Sequence, residues 1–329
     1  MNAMIVTSAG DLDWRRVPDP IAGPGDAIVA VRATALNRAD LAQRSGNYPP
    51  PAGESDVLGL ELAGTLTHVP AGDHDFAVGD PVCALVAGGG YAELARVPLG
   101  MLMRLPRGWS FVEAAAMPEV YSTAYLNLVL EAELRARERV VIHGGASGVG
   151  TAAIQVAKAW GCDVAATAGS AEKTAICLAQ GADVAIDYTK QDFAEEIGAV
   201  FEGGVDVVLD MVGAEYFGRN LDLLRVGGRL VIIATLSGAK ATIDLRELMA
   251  RRARIVGSTL RNRPLEEKVS LRDALVRDLF PRFEEGTMAP VIDAVVSIGD
   301  AEDAHARMRA NENAGKIVLV VAPGSDERP

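Results

Sequence analysis

"RVVIHGGASGVGTAAIQVAKAWG", residues Arg139 to Gly161, decides the fold. A short run of apolar residues leads into a glycine-rich turn, and the turn into a helix-period segment closed by Gly161. A strand ending on such a turn at a helix start is the setting in which glycine-rich loops hold phosphate. Backbone N–H groups and the helix dipole both favour an anion there. Aligned on G-x-G-x-x-G, the turn gives Gly145, Ser147 and Gly150, with serine in the middle position and Gly148 and Val149 between. The Ser147 hydroxyl has three readings: a phosphate ligand, a packing residue, or a minor catalytic contributor.

The chain repeats the same alternation downstream. "CDVAATA", "VAIDY", "VDVVLDMVG", "GRLVIIA" and "RIVGSTL" are strand-sized apolar runs, and helical stretches such as "AEKTAICLAQG" separate them. Strands apolar on both faces that alternate with helices predict βαβ units, hence an α/β fold with a doubly wound parallel sheet. A dinucleotide is the ligand this arrangement serves.

The second strand selects which dinucleotide. A site for NAD ends this strand in Asp or Glu, which binds the ribose 2′-hydroxyl. Here the strand ends in Ala168, Gly169 and Ser170, with Lys173 one turn later, and Asp163 lies at its other end. A hydroxyl and a lysine attract a 2′-phosphate that a carboxylate would repel, so the expected cofactor is NADPH. The plainer reading of Lys173 is a solvated helix lysine.

Upstream, the first third is rich in Gly and Pro. Its short apolar runs "AIVAVRAT", "LAGTLTHV" and "PVCALV" predict a β-rich domain, a partly open barrel. Near Pro106 the character changes, and Ser110 to Glu138 reads as largely helical. A chain of 329 residues is long for one core, which fits two domains. Net charge is −12 without basic clusters, which argues against nucleic acid and anionic membrane as partners. Three scattered cysteines suit a reduced compartment rather than disulfides. The N-terminal segment does not read as a signal peptide, and the apolar runs fall short of a membrane span, so a cytoplasmic location is expected. The tail "APGSDERP" is expected to fray.

These features add up to a family. "ALNRADLAQRSGNYPPPAG", "LGLELAGTL", "GGGYAELARVP", "EAAAMPEVYSTAY", "GGASGVGTAAIQVAK", "AGSAEK" and "NENAGKIVL" occur in family order along essentially the whole chain. The sequence resembles the zinc-independent quinone oxidoreductase (zeta-crystallin-like) branch of the medium-chain dehydrogenase/reductase superfamily. Ala35 to Gly53 is particularly similar to the apoptosis-associated quinone oxidoreductase type.

The resemblance implies a discontinuous GroES-like catalytic domain, residues 1–119 and 265–329, around a Rossmann cofactor domain, residues 120–264. "VIDAVVSI" and "KIVLVV" fit the returning segment. It implies Asn37 near the nicotinamide ribose and Gly145, Ser147, Gly148, Val149 and Gly150 at the pyrophosphate. Ser170, Lys173 and Tyr188 match the 2′-phosphate pocket, although Tyr188 also reads as an edge residue closing the sheet. Thr235, Leu236, Leu260, Arg261 and Asn313 match loops along the rest of the cofactor. A homodimer is expected by the same analogy.

Zinc-dependent members carry Cys where this chain has Asn37 and His where it has Leu60, and they have a four-cysteine lobe with no counterpart here. The histidines His68, His74, His143 and His305 are dispersed, so no metal is expected. The remaining chemistry is hydride transfer to a quinone or an α,β-unsaturated carbonyl, which needs shape and one donor for the developing oxyanion. Tyr48, in the stiff loop "SGNYPPP", is the candidate: it either donates the proton or closes the pocket mouth with its ring. Tyr91, Tyr121 and Tyr125 read as structural. Two other functions stay open. One is a trans-2-enoyl-thioester reductase, for which no Arg/Lys patch is visible in the sequence; the other is an NADPH-binding protein without catalysis.

Overall fold

The computed structural model describes residues 1–321, so the tail expected to fray lies outside the described residues. The chain forms two compact units. One runs from Met1 to Ser122 and resumes at Leu260; the other is Thr123–Thr259.

The second unit is built on a six-stranded parallel sheet. Its order is Val184–Asp187, Asp163–Ala168, Arg139–Ile142, Val205–Asp210, Leu224–Ile232 and Arg254–Gly257. All six apolar runs read from the sequence are strands of this sheet. Val205–Asp210 is buried along its whole length, as a strand covered on both faces must be. Phe193, Ile197, Tyr216, Phe217 and Leu221 pack from helices and their flanks onto Val141, Val208 and Leu230. Strand order reverses between Arg139–Ile142 and Val205–Asp210, and a doubly wound sheet binds its ligand beyond the carboxyl ends of strands at such a point. The helix Gly148–Ala159 ends at Gly161, whose φ of 75° only glycine adopts at little cost.

The first unit is a seven-stranded sheet around the long strand Asp26–Ala35. That strand pairs antiparallel with Glu61–His68 on one edge, and its first half pairs with Leu94–Pro98 on the other. Two register shifts against Glu61–His68 bend it, which curls the sheet toward the partly open barrel expected. The returning segment supplies Lys316–Val320, antiparallel to residues 33–35, and Ile292–Ser297 beside it.

The boundaries differ from expectation in one consequential place. The segment expected to close the cofactor domain at residue 264 returns to the first unit at Leu260. Arg261 explains why, since its guanidinium bonds Ala87, Tyr48 and Gln43, all in that unit. The stretch expected to be largely helical contains Phe111–Ala115, Pro118–Tyr125 and a π-helical turn at Leu126–Glu131. Ser110 and Glu113 cap the first piece reciprocally, and Pro118 starts the second where its missing N–H costs nothing. No helix of the described residues is long and apolar enough to cross a membrane.

Candidate functional site

In the second unit the glycine turn is set by close approach. A Cβ at Gly150 would sit 2.2 Å from the Gly144 carbonyl oxygen, so strand end and helix start meet there with no side chain between them. The Gly145 N–H donates to the Thr167 carbonyl at 2.8 Å. Ser147 caps the helix, its Oγ accepting the Gly150 N–H at 3.0 Å. Helix capping is thus a fourth role beside phosphate ligand, packing and catalysis, and serine before a helical period is its ordinary sign. Gly148 and Val149 supply the first two N–H groups of the helix, which have no intrahelical carbonyl to bond. These are donors a pyrophosphate can use, so the turn fits a dinucleotide.

The next strand ends at Ala168 without a carboxylate, and Asp163 stands at its exposed beginning. Ser170 caps the following helix by accepting the Lys173 N–H at 3.3 Å. The Tyr188 N–H donates to the Ala168 carbonyl, and its hydroxyl lies over Gly169, 2.7 Å from where a Cβ would be. Ser170, Lys173 and Tyr188 therefore meet at one strand end. Glu172 shares that corner, its carboxylate held below the usual range by its own backbone N–H and the Ser170 hydroxyl. Thr235 and Leu236 follow the strand Leu224–Ile232, and Leu236 is exposed, its N–H donating to the Met211 carbonyl. Met211 was not foreseen; its sulfur lies 3.8 Å from Ser147 Oγ and would meet a Cβ at Gly144.

His143, the last residue before the glycines, is fully buried. Its ring bonds Thr167 Oγ1 at 3.0 Å and Asn220 Oδ1 at 2.7 Å, between Phe193 and Tyr216. Burial pulls its pKa down to about 4, so it is a neutral structural residue.

In the first unit a buried polar network holds the segment around Asn37. The Lys316 ammonium donates to the Leu36 carbonyl at 2.6 Å, to Asn37 Oδ1 at 2.7 Å and to Glu61 Oε1 at 2.7 Å. Asn37 Nδ2 donates to the same Glu61 oxygen at 2.8 Å. Both ends of the Asn37 amide are thus engaged within the protein. Asp40 accepts the N–H groups of Asn37 and Gly59 and the Tyr91 hydroxyl, and Tyr91 in turn meets His305 at 3.3 Å. Burial raises the Asp40 pKa to about 6, against those N–H bonds and Lys316. Glu61 and Lys316 were missed as site residues because a lone charge in an apolar stretch reads as surface, and Asp40 because an acid amid the polar residues of "NRADLAQR" reads as a solvated helix face. The signal for Glu61 and Lys316 was the lone charge inside "LGLELAGTL" and "AGKIVL".

Tyr48 is half-buried on its loop. The Arg261 guanidinium lies over its ring, 5.2 Å from the centroid, and donates to its carbonyl at 3.0 Å. The same guanidinium donates to Ala87 O and Gln43 Oε1, both at 2.7 Å, so Arg261 clamps three segments of one unit. Burial, then the Glu119 carboxylate, raises the Tyr48 pKa, with Arg261 opposing. Leu260 beside it is buried, and Asn313 bonds the Gly315 carbonyl within its own turn. Tyr91, Tyr121 and Tyr125 are core residues.

A cavity of about 190 Å³ opens in this unit, with Pro51, Arg96, Glu119, Arg261, Arg263 and Lys268 among its lining. The sequence showed no Arg/Lys patch. The fold assembles one from Arg96 on a strand and three cations on the returning segment. Glu119 faces them half-buried, and its backbone N–H donates to Glu61 Oε2 at 2.8 Å. Among the described residues no cluster of three or more His, Cys, Asp or Glu is disposed to hold a metal ion.

Two family patterns match the chain: the alcohol dehydrogenase GroES-like domain over residues 23–107, and the zinc-binding dehydrogenase over residues 148–274. Quinone oxidoreductase of Pongo abelii is 31% identical over 307 residues, 92% of this chain and 91% of that protein. Polyketide synthase GfsB of Streptomyces halstedii is 33% identical over 331 residues, 98% of this chain; the chain spans only 6% of that synthase. Among solved structures, the quinone oxidoreductase of Thermus thermophilus, determined also in complex with NADPH, superimposes with a TM-score of 0.83. It is 34% identical, covering 98% of this chain and all of that one.

Proposed function

The chain belongs to the medium-chain dehydrogenase/reductase superfamily of oxidoreductases, and from that premise we propose an NADPH-dependent reductase of quinones or α,β-unsaturated carbonyls. The observation that carries the reading is the strand end at Ala168, where Ala168, Gly169 and the capping Ser170 occupy the acidic position of an NAD site, with Lys173, Tyr188 and Glu172 beside them. A 2′-phosphate is accommodated there, with Gly148 and Val149 N–H groups for the pyrophosphate. Bound NADPH supplies the hydride, and the chain's own residues orient the acceptor and supply a proton. The similarity to quinone oxidoreductases along nearly the whole chain supports the acceptor class, and with it the zeta-crystallin-like branch.

The same reading has the reductase work without zinc. Asn37 and Leu60 offer no thiolate or imidazole, and Asn37 is already bonded to Glu61 and Lys316, whose ammonium is the local cation.

A second reading, reduction of 2-enoyl thioesters, is favoured by the cations gathered at the cavity and by the match to a polyketide synthase segment. A steady-state screen separates the two. NADPH loss is followed with a small naphthoquinone, an enone and a crotonyl-pantetheine thioester, each repeated with NADH. The proposal expects turnover of quinone or enone with NADPH at least ~10-fold more efficient than with NADH. Efficient turnover of the thioester alone selects the second reading, and a preference for NADH overturns the cofactor assignment.

A further inference from the structure

The cavity of the first unit holds a carboxyl group that the proposed function leaves unused. Glu119 lies in the first turn of the helix Pro118–Tyr125, and its N–H is tied to Glu61 Oε2 at 2.8 Å. Its side chain reaches the same cavity as Arg261, the residue that stacks on Tyr48. Among the described residues no hydrogen bond is donated to its carboxyl oxygens. A half-buried carboxylate facing a protein cavity without donors is disfavoured, whereas the neutral acid is tolerated and has a proton to give.

We propose that Glu119, rather than Tyr48, is the group in this cavity that protonates the acceptor after hydride transfer. The inference rests on the reductase reading above. With an enone, hydride adds to the β-carbon and the π electrons of the C=C bond move toward the carbonyl, leaving an enolate. The O–H bond of Glu119 breaks, the proton bonds the α-carbon, and the electron pair stays behind as carboxylate. Solvent reaching the cavity restores the proton. Two electrons and one hydrogen come from the hydride, and the second hydrogen comes from Glu119, which balances the saturated product.

The charged surroundings agree. Glu61 on its strand and Asp40 on the helix Arg38–Arg44 oppose ionisation of Glu119, while Lys316 and Arg261 favour it. Tyr48 on its loop feels the Glu119 charge, and Glu54, Arg96, Arg261, Arg263 and Lys268 are the other charged residues of the cavity lining. Burial dominates and, with Glu61, pushes the Glu119 carboxyl up to about 8, so it carries its proton at neutral pH. Tyr48 moves the other way in usefulness: a phenol raised further from neutrality is the weaker acid of the two.

Two measurements test this. In the unliganded protein, infrared difference spectra against Glu119→Gln are expected to show a protonated carboxyl band that titrates away near pH 8. A Glu119 already ionised at pH 6 overturns the proposal. In acceptor reduction with NADPH, Glu119→Gln is expected to lower kcat about 100-fold, while Tyr48→Phe stays within about threefold. A Glu119→Gln enzyme with wild-type kcat overturns the assignment while leaving the reductase reading intact. A wild-type protein that reduces no quinone or enone overturns the reading itself. Should Glu119→Gln fail to fold, the wild-type pH profile decides. A kcat that falls as pH rises through about 8 supports Glu119, and a flat profile from about pH 7 to about pH 9 overturns it.

Discussion

Lys316 and Glu61 form a buried pair in which each charge depends on the other. Their side chains are 3% and 0% exposed, and the ammonium spends its remaining donors on Leu36 O and Asn37 Oδ1. Removing one partner leaves the other desolvated without compensation, which costs more than the pair contributes. Lys316→Met is therefore expected to destabilise the protein by about 3–5 kcal/mol in urea denaturation. Adding Glu61→Gln to it should recover part of that loss; a double variant as unstable as the sum of the singles would contradict the pairing. None of this was legible in the sequence, because Asn37 and Lys316 lie 279 residues apart and nothing local announces that they meet. Tyr48 was conspicuous for the opposite reason, an aromatic set between glycine and prolines. What its neighbourhood in the sequence could not reveal was Arg261, brought to its ring by a segment expected in the other domain.

At the scale of elements, the parallel strands were readable because burial on both faces leaves no polar residue to interrupt the apolar run. The phosphate turn was readable because glycines so spaced between a strand and a helix rarely serve any purpose but close backbone approach. The fate of Ser147 was not, since a ligand hydroxyl and a capping hydroxyl look alike in one dimension. Its geometry now makes a prediction that distinguishes them. Ser147→Ala is expected to lower stability by about 1 kcal/mol through the lost cap. The Kd for NADPH should change by less than about threefold, since Gly148 and Val149 N–H groups remain. A tenfold weaker Kd with unchanged Tm would assign the hydroxyl to the phosphate instead. The stretch after Ser110 is largely helical, as its pattern suggested, and Pro118 marks the start of a new helix, but propensity does not reveal the π-turn at Leu126–Glu131.

For the molecule as a whole, pH acts through groups buried in one protonation state. His143 is buried neutral with a pKa of about 4, lowered chiefly by burial, and His305 in the other unit is likewise lowered to about 4, again chiefly by burial. Unfolding lets each bind a proton nearer its ordinary pKa of about 6.5. The unfolded state then holds more protons between about pH 6.5 and about pH 4, so this stabilisation is complete above that window and is lost as pH falls through it. His143→Gln is expected to be less stable at pH 7 yet to lose less on acidification to about pH 4. Chemical denaturation at several pH values measures that slope, and an unchanged slope would show that His143 does not contribute it. Asp40 has the opposite sign, its raised pKa favouring the folded state at low pH and losing that advantage as pH rises toward about 6.

The antiparallel pairing of Lys316–Val320 with residues 33–35 also governs the order in which the protein can be made. The parallel sheet is encoded within one uninterrupted stretch, Thr123–Thr259, and can assemble as soon as that stretch leaves the ribosome. The strands translated before it cannot finish their own sheet until a strand translated after it arrives. Until then Glu61 has no ammonium beside it and the edge at residues 33–35 stays open. Of the two units, the one begun first on the ribosome is finished second.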